Sequence, residues 1–258
     1  MAAYVQDVIM LLGDSLTQGG WEAGGFAQRL AFVYNRKLDV LNRGMSGYNT
    51  EWIKPVFEQC FANQAQQKHV PKVRLLTIWL GANDAALPPT AQHVPLPKFA
   101  ANLAELIHAV TNPSSPRYAP ATRILLITPP PVGPEQWLAH IRENDPAREL
   151  DRKFEVTRQY ADAVKDVGAR ESVPVVDIWT RFWEACGEDV ARLPELLTDG
   201  LHLNARGYEL MFNELIKVVS DKYPELHYDN LPTVFIPFAE IDPTNPRPHL
   251  NKREIFGN

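Results

Sequence analysis

Cysteine is scarce in this 258-residue sequence, which has Cys60 and Cys186 and no others. Two thiols cannot build a disulfide framework or a Cys-rich zinc site, so a reduced, intracellular setting is expected. Basic charge is also short: 26 Lys and Arg stand against 31 Asp and Glu, a net charge of -5. A nucleic-acid binder needs surplus cations to neutralise phosphates, so nucleic acid is not expected as a partner. No apolar run approaches the roughly 20 residues that span a bilayer; residues 8–12 are far too few. Residues 1–6 lack the basic start and apolar stretch of a signal peptide, and residues 254–258 match no retention, peroxisomal or lipidation signal. The expectation is a cytoplasmic protein with no membrane span. Phosphate loops of the Gly-x-Gly-x-x-Gly or Walker type are missing too, which leaves nucleotide binding without support.

What is present is an ordinary globular composition, 45% hydrophobic and 22% charged, at a length that suits one α/β unit. Short continuous apolar runs recur at 8–12, 38–41, 73–80, 124–128 and 173–179. Runs of this kind suit strands buried on both faces of a parallel sheet. Between them the spacing predicts helices at about 26–37, 51–67, 98–111 and 147–168, with a last one at about 205–222. In the last, Tyr208, Met211, Phe212, Leu215 and Val219 share one face, and Asn204 suits its N-cap. Strand–helix alternation throughout predicts a doubly wound α/β sandwich with right-handed crossovers. After a domain over residues 1–223, residues 224–258 change character. Six prolines, from Pro224 to Pro248, and no helical period predict an extended arm. Its Val234, Phe235, Ile236 and Phe238 predict packing on the domain, where the arm would shape the site, or on a partner subunit of a homodimer.

The first apolar run leads directly into Gly13-Asp14-Ser15-Leu16. Ligands of open α/β sheets bind outside the carboxyl ends of the strands, where Ser15 can present its hydroxyl. That hydroxyl is a poor nucleophile until a base takes its proton. His202, in Asp199-Gly200-Leu201-His202, is the candidate base. Asp199, three residues earlier in a loop before the last helix, can hold Nδ1 and leave Nε2 free for Ser15. The other six histidines lack such an acid partner in a strand-to-helix loop. Attack on an ester creates an oxyanion, which needs preorganised donors. Gly44, in Asn42-Arg43-Gly44-Met45-Ser46-Gly47-Tyr48, lets a backbone N–H approach closely. Asn83, in Gly81-Ala82-Asn83-Asp84, offers a side-chain amide. Each segment alone is also what an ordinary turn contains. A turn does not explain their convergence, because Ser15, Gly44 and Asn83 each follow a predicted strand on one edge, over which Asp199 and His202 could close. The segment around Ser46 resembles a nucleophile elbow, but Tyr48 stands where Gly-x-Ser-x-Gly requires glycine.

These four blocks, in this order and spanning residues 8–222, resemble the GDSL esterases, also called SGNH hydrolases. The resemblance implies a flavodoxin-like three-layer α/β/α sandwich on a parallel five-stranded sheet, with no metal or other cofactor. It implies Ser15 as nucleophile, His202 as base and Asp199 as the partner of His202. It also implies an oxyanion hole of the Ser15 N–H, the Gly44 N–H and the Asn83 side chain. The strings 42–50 and 80–85 are similar to the branch of isoamyl-acetate-hydrolysing esterases, which cleave acetate and other short-chain esters. Leu16, where Ile is common, and Asn204, where Ser or Thr is frequent, depart from the pattern without removing a catalytic group. The expected partner is a small-molecule ester, cleaved through an acyl-enzyme. An acyltransferase would use the same acyl-enzyme, and lysophospholipase, thioesterase and carbohydrate deacetylase readings use the same groups. Proline-rich stretches at 85–97 and 129–134, with Trp21, Trp52, Trp79 and Trp137 nearby in sequence, predict walls suited to a small apolar group.

Overall fold

Five parallel strands form the centre of the computed structural model, which describes residues 5–256. The chain runs through β1 (Val8–Gly13), a four-residue helix α1 (Ser15–Gln18), α2 (Phe26–Val33), β2 (Asp39–Gly44), α3 (Thr50–Cys60) and β3 (Val73–Trp79). It continues through α4 (Leu96–Thr111), β4 (Arg123–Ile127), α5 (Pro134–Asn144), α6 (Phe154–Glu171), β5 (Val175–Val176), α7 (Ile178–Ala185) and α8 (Ala205–Lys222). The strand order is β2-β1-β3-β4-β5, with every pairing parallel. This is the flavodoxin-like order of a doubly wound sheet.

Side chains alternate across each strand, and both faces are covered. Along β1, Ile9 and Leu11 enter one core layer with Phe26 and Leu30 of α2 and Met211 and Leu215 of α8. Met10 and Leu12 enter the other with Ile53 and Phe57 of α3, Leu103 of α4 and Val164 of α6. With apolar contacts on both sides, β1 reads as an unbroken hydrophobic run up to Gly13.

The helix expected at 26–37 ends at Val33 and the one expected at 51–67 ends at Cys60, and three further elements differ from the sequence reading. The expected strand at 173–179 is cut to two residues, because the Asp177 side chain accepts the Thr180 N–H at 3.1 Å and starts α7 there. The helix expected from residue 147 begins at Phe154, and the residues before it form a loop that sends Arg152 into the interior. Helix α5 is unforeseen, although Pro134 at its start and Glu135 in its first turn are helix-start signals.

Beyond α8 the arm makes short 3-10 turns and bonds back to the domain. Tyr34 Oη donates to the Leu226 carbonyl at 2.9 Å, and Arg36 donates to those of Phe235 and Ile236 at 2.9 and 3.0 Å. The Phe256 ring lies 4.2 Å from the Arg74 guanidinium. These partners sit just past α2 and near the start of β3, at the end of the sheet opposite Ser15. Among the described residues, none that lines the cleft beside Ser15 belongs to the arm, so the expectation that it shapes the site finds no contact here. Among the described residues, no helix is long and apolar enough to cross a membrane.

Candidate active site

The winding reverses between β1 and β3: the chain leaves β1 for β2 on one side and returns through α3 to β3 on the other. Such a switch point opens a crevice at the carboxyl ends of the strands. Ser15 stands directly after β1, and Asn83 lies just beyond β3. Asp14 caps α1 by accepting the Leu16 N–H on Oδ1 at 2.9 Å. Ser15 therefore holds the first position of that helix, where the N–H has no partner within the helix.

The loop carrying Asp199 and His202 is clamped at both ends. Leu197 and Leu203 form an antiparallel bridge, and the Thr198 N–H donates to the His202 carbonyl at 2.8 Å. Asn204 caps α8 as expected, accepting the N–H groups of Arg206 and Gly207 at 3.0 Å each. At the tip, Gly200 has φ of 94°, and a Cβ there would lie 2.4 Å from the Trp137 nitrogen. Only glycine lets this loop seat on α5, where the Gly133 N–H donates to the Gly200 carbonyl at 2.8 Å.

That seating brings three separated side chains into line. Asp199 Oδ1 accepts the N–H groups of Leu201 and His202 at 2.9 and 2.8 Å. Its Oδ2 lies 2.7 Å from His202 Nδ1, and His202 Nε2 lies 2.9 Å from Ser15 Oγ. With Nδ1 donating to the carboxylate, Nε2 has a lone pair to accept the Ser15 proton. Burial raises the Asp199 pKa, but the hydrogen bonds and charge of His202 outweigh it and bring the group down to about 2. Burial likewise pulls the His202 pKa down, and the bond to Asp199 overcomes it, leaving a net rise above the ordinary 6.5. An imidazole that must be neutral to accept a proton works above its pKa. The kcat/KM for an ester substrate is therefore expected to climb through one ionisation above pH 6.5. A pH profile whose inflection falls below that value would contradict the pairing.

Ser15 and His202 open on a cleft of about 270 Å³ that Gly47, Asn83, Trp137 and His140 also line. One N–H of the Asn83 amide donates to the Tyr48 carbonyl at 2.9 Å, which leaves the other for a ligand. Gly44 does not lie where the sequence placed it. It is the last residue of β2, and its N–H donates to Asn42 Oδ1 at 2.9 Å. A Cβ on it would fall 2.0 Å from the Gln18 nitrogen, so close backbone packing accounts for this glycine. Gly47, three residues on and already clear of the strand, is the glycine at the cleft. The wall residues differ as well. Trp79 is fully buried edge-on to Phe26 at 5.5 Å, and of the six tryptophans Trp137 alone lines the cleft. Sequence reasoning also missed His140, with Nε2 3.7 Å from Asp199 Oδ2, and the polar residues Gln92, Asp151 and Arg152. Among the described residues, no group of three or more His, Cys, Asp or Glu gathers as a metal site.

Asp14 is the other unusual group. Burial pushes its pKa up to about 7; the Leu16 N–H opposes this and the nearby Asp84 adds to it. Its Oδ2 has no hydrogen-bond partner among the described residues. A carboxyl that titrates at 3.8 when unfolded and about 7 when folded costs the fold stability as pH rises between those values. Asp14→Asn keeps the cap acceptor and removes the charge. Its thermal midpoint is expected to exceed that of the native protein at pH 8, with the gap closing toward pH 4. A gap independent of pH would refute this.

A hydroxyl, an imidazole and a carboxylate in line at the switch point of an open parallel sheet have the geometry a serine hydrolase needs. The description of the GDSL-like lipase/acylhydrolase family matches residues 11–210, and the chain belongs to that family of carboxylic ester hydrolases. Isoamyl acetate-hydrolyzing esterase 1 homolog from Bos taurus is 34% identical over 222 residues, 85% of this chain and 84% of its own. The isoamyl acetate-hydrolyzing esterase of Saccharomyces cerevisiae is 29% identical over 235 residues, 86% of this chain and 90% of its own. Among solved structures, a lipase/acylhydrolase from Enterococcus faecalis has a TM-score of 0.59 at 24% identity, covering 84% of this chain and 96% of its own. An acetylxylan esterase from Geobacillus stearothermophilus has a TM-score of 0.59 at 22% identity, covering 83% and 94%. At those identities the two structures share the fold.

Proposed function

We propose that the protein hydrolyses short-chain, acetate-type carboxylic esters, with Ser15 as nucleophile, His202 as general base and Asp199 as the group that orients His202. The observation that carries this reading is the continuous line from Ser15 Oγ to His202, 2.9 Å, and on to Asp199, 2.7 Å. Ser15 Oγ attacks the ester carbonyl while His202 Nε2 takes its proton, and Asp199 stabilises the imidazolium so formed. The tetrahedral oxyanion accepts hydrogen bonds from the Ser15 N–H, the Gly47 N–H and the free N–H of Asn83, with Gly47 in the role first given to Gly44. His202 then hands the proton to the departing alkoxide. A water deprotonated by His202 attacks the acyl-enzyme and releases the acid and Ser15.

The preference for a short acyl group draws on the relatives named for isoamyl acetate and on the small volume of the cleft. Rates on p-nitrophenyl esters from acetate to decanoate test it. The kcat/KM is expected to fall as the acyl chain lengthens, and a preference for decanoate would overturn it. A cytoplasmic setting and a homodimer through the arm complete the reading. The free thiols Cys60 and Cys186 suit the first, and Phe238, 88% exposed on the arm, suits the second.

A further inference from the structure

We propose that Arg152 and Gln92 are positioning residues that hold Asn83 and Gly47, two donors of the oxyanion hole, in register with Ser15. The inference rests on the function proposed above.

Arg152 is only 1% exposed, yet it forms no part of the line from Ser15 to Asp199. Its guanidinium reaches across the strand ends from the loop before α6. Nε donates to the Ala82 carbonyl at 2.9 Å, and Nη2 donates to Gln92 Oε1 at 2.9 Å and to Asn83 Oδ1 at 3.3 Å. Nη1 lies 3.2 Å from Asp151 Oδ1. Asp151 is itself fixed, accepting Trp137 Nε1 at 2.7 Å on the same oxygen and the Leu87 N–H at 2.8 Å on its carbonyl.

An amide side chain has nearly the same shape either way round, so its partners decide which end faces the cleft. A guanidinium carries donors and no acceptor. Arg152 therefore draws the oxygen end of Gln92 toward itself. Gln92 Nε2 then faces the other way and donates to Asn83 Oδ1 at 3.1 Å and to the Gly47 carbonyl at 2.9 Å. With two donors on its oxygen, Asn83 must turn its NH₂ to the opposite side, toward Tyr48 and the cleft. Reversed, it would present an oxygen to the developing oxyanion and repel it. A lysine could not replace the planar fork that serves Ala82, Gln92 and Asn83 at once.

The experiment is a double-mutant cycle with p-nitrophenyl acetate. Arg152→Lys and Gln92→Leu are each measured in the native protein and on an Asn83→Ala background, with kcat, KM and thermal midpoint recorded. In the native background each is expected to lower kcat by about 10- to 100-fold with KM little changed. On the Asn83→Ala background the same substitutions are expected to cost much less, because the amide they orient is gone. A loss of equal size on both backgrounds, or full kcat in a folded variant, would overturn the proposal. Gln92→Leu leaves the Arg152–Asp151 pair in place and serves as the test if Arg152→Lys does not fold. The native protein separates the two layers: absence of esterase activity there sinks the proposed function, whereas an active native enzyme with unaffected variants sinks this inference alone.

Discussion

Ser15→Ala or His202→Ala is expected to lower kcat on an acetate ester by about 10⁴- to 10⁶-fold. The two side chains act as one unit, since the hydroxyl gains nothing without a base and the base has no proton to take without the hydroxyl. The Ser15→Ala, His202→Ala double variant is therefore expected to lose scarcely more than either single one. Folding is not expected to suffer, because both groups open on the cleft and their neighbours are tied by other bonds. Asp14 still caps α1, and Asn204 still caps α8. Steady-state kinetics beside a thermal melt checks this. The informative alternative is Ser46, which also lines the cleft. Its backbone N–H donates to Gln18 Oε1 at 3.0 Å, whereas His202 Nε2 is directed at Ser15. Substantial activity in folded Ser15→Ala would move the nucleophile to Ser46 or elsewhere.

Asp199→Asn is expected to cost about 10⁴-fold in kcat, by the same logic that governs other triads. Asparagine keeps an oxygen for the N–H groups of Leu201 and His202, which Asp199 now accepts at 2.9 and 2.8 Å, so the loop is expected to hold its shape. The other end of the side chain changes from acceptor to donor. Facing an NH₂, His202 Nδ1 must accept, which puts the imidazole proton on Nε2 where it cannot receive the Ser15 proton. The charge is lost as well. Asp199 raises the His202 pKa, so its removal is expected to shift the acid limb of the kcat/KM profile to lower pH. A loss below about tenfold, or an unmoved limb, would show that the carboxylate neither sets the tautomer nor stabilises the imidazolium.

The parts of this site that were legible in the sequence are those whose chemistry is carried by rare side chains in short local patterns. Ser15 after a buried strand and His202 three residues from an acid are such patterns, and the structure brings their side chains to 2.9 Å. The glycine of the site was not legible, because Gly44 and Gly47 differ only in where β2 ends. Pairing of Gly13 with Gly44 carries the strand through Gly44, a matter of sheet register that local sequence does not encode. Trp79 looked like a cleft wall from its place beside the Asn83 block. It points into the core instead, since successive strand residues face opposite layers. Gln92 and Arg152 gave no signal at all. Their partner Asn83 lies 9 and 69 residues away in sequence, so only the assembled fold joins them. The late start of α6 has the same origin: residues that read as helical are held out of the helix by the buried contacts of Arg152.

Labelling of the native protein with a fluorophosphonate, followed by mass mapping of the modified peptide, tests the central claim most directly. The reagent phosphonylates an activated serine hydroxyl and leaves an ordinary one untouched. The expected result is a single adduct on Ser15, absent from Ser15→Ala and from His202→Ala. An adduct on Ser46 or any other residue, or labelling that persists in His202→Ala, would contradict the assignment of nucleophile and base.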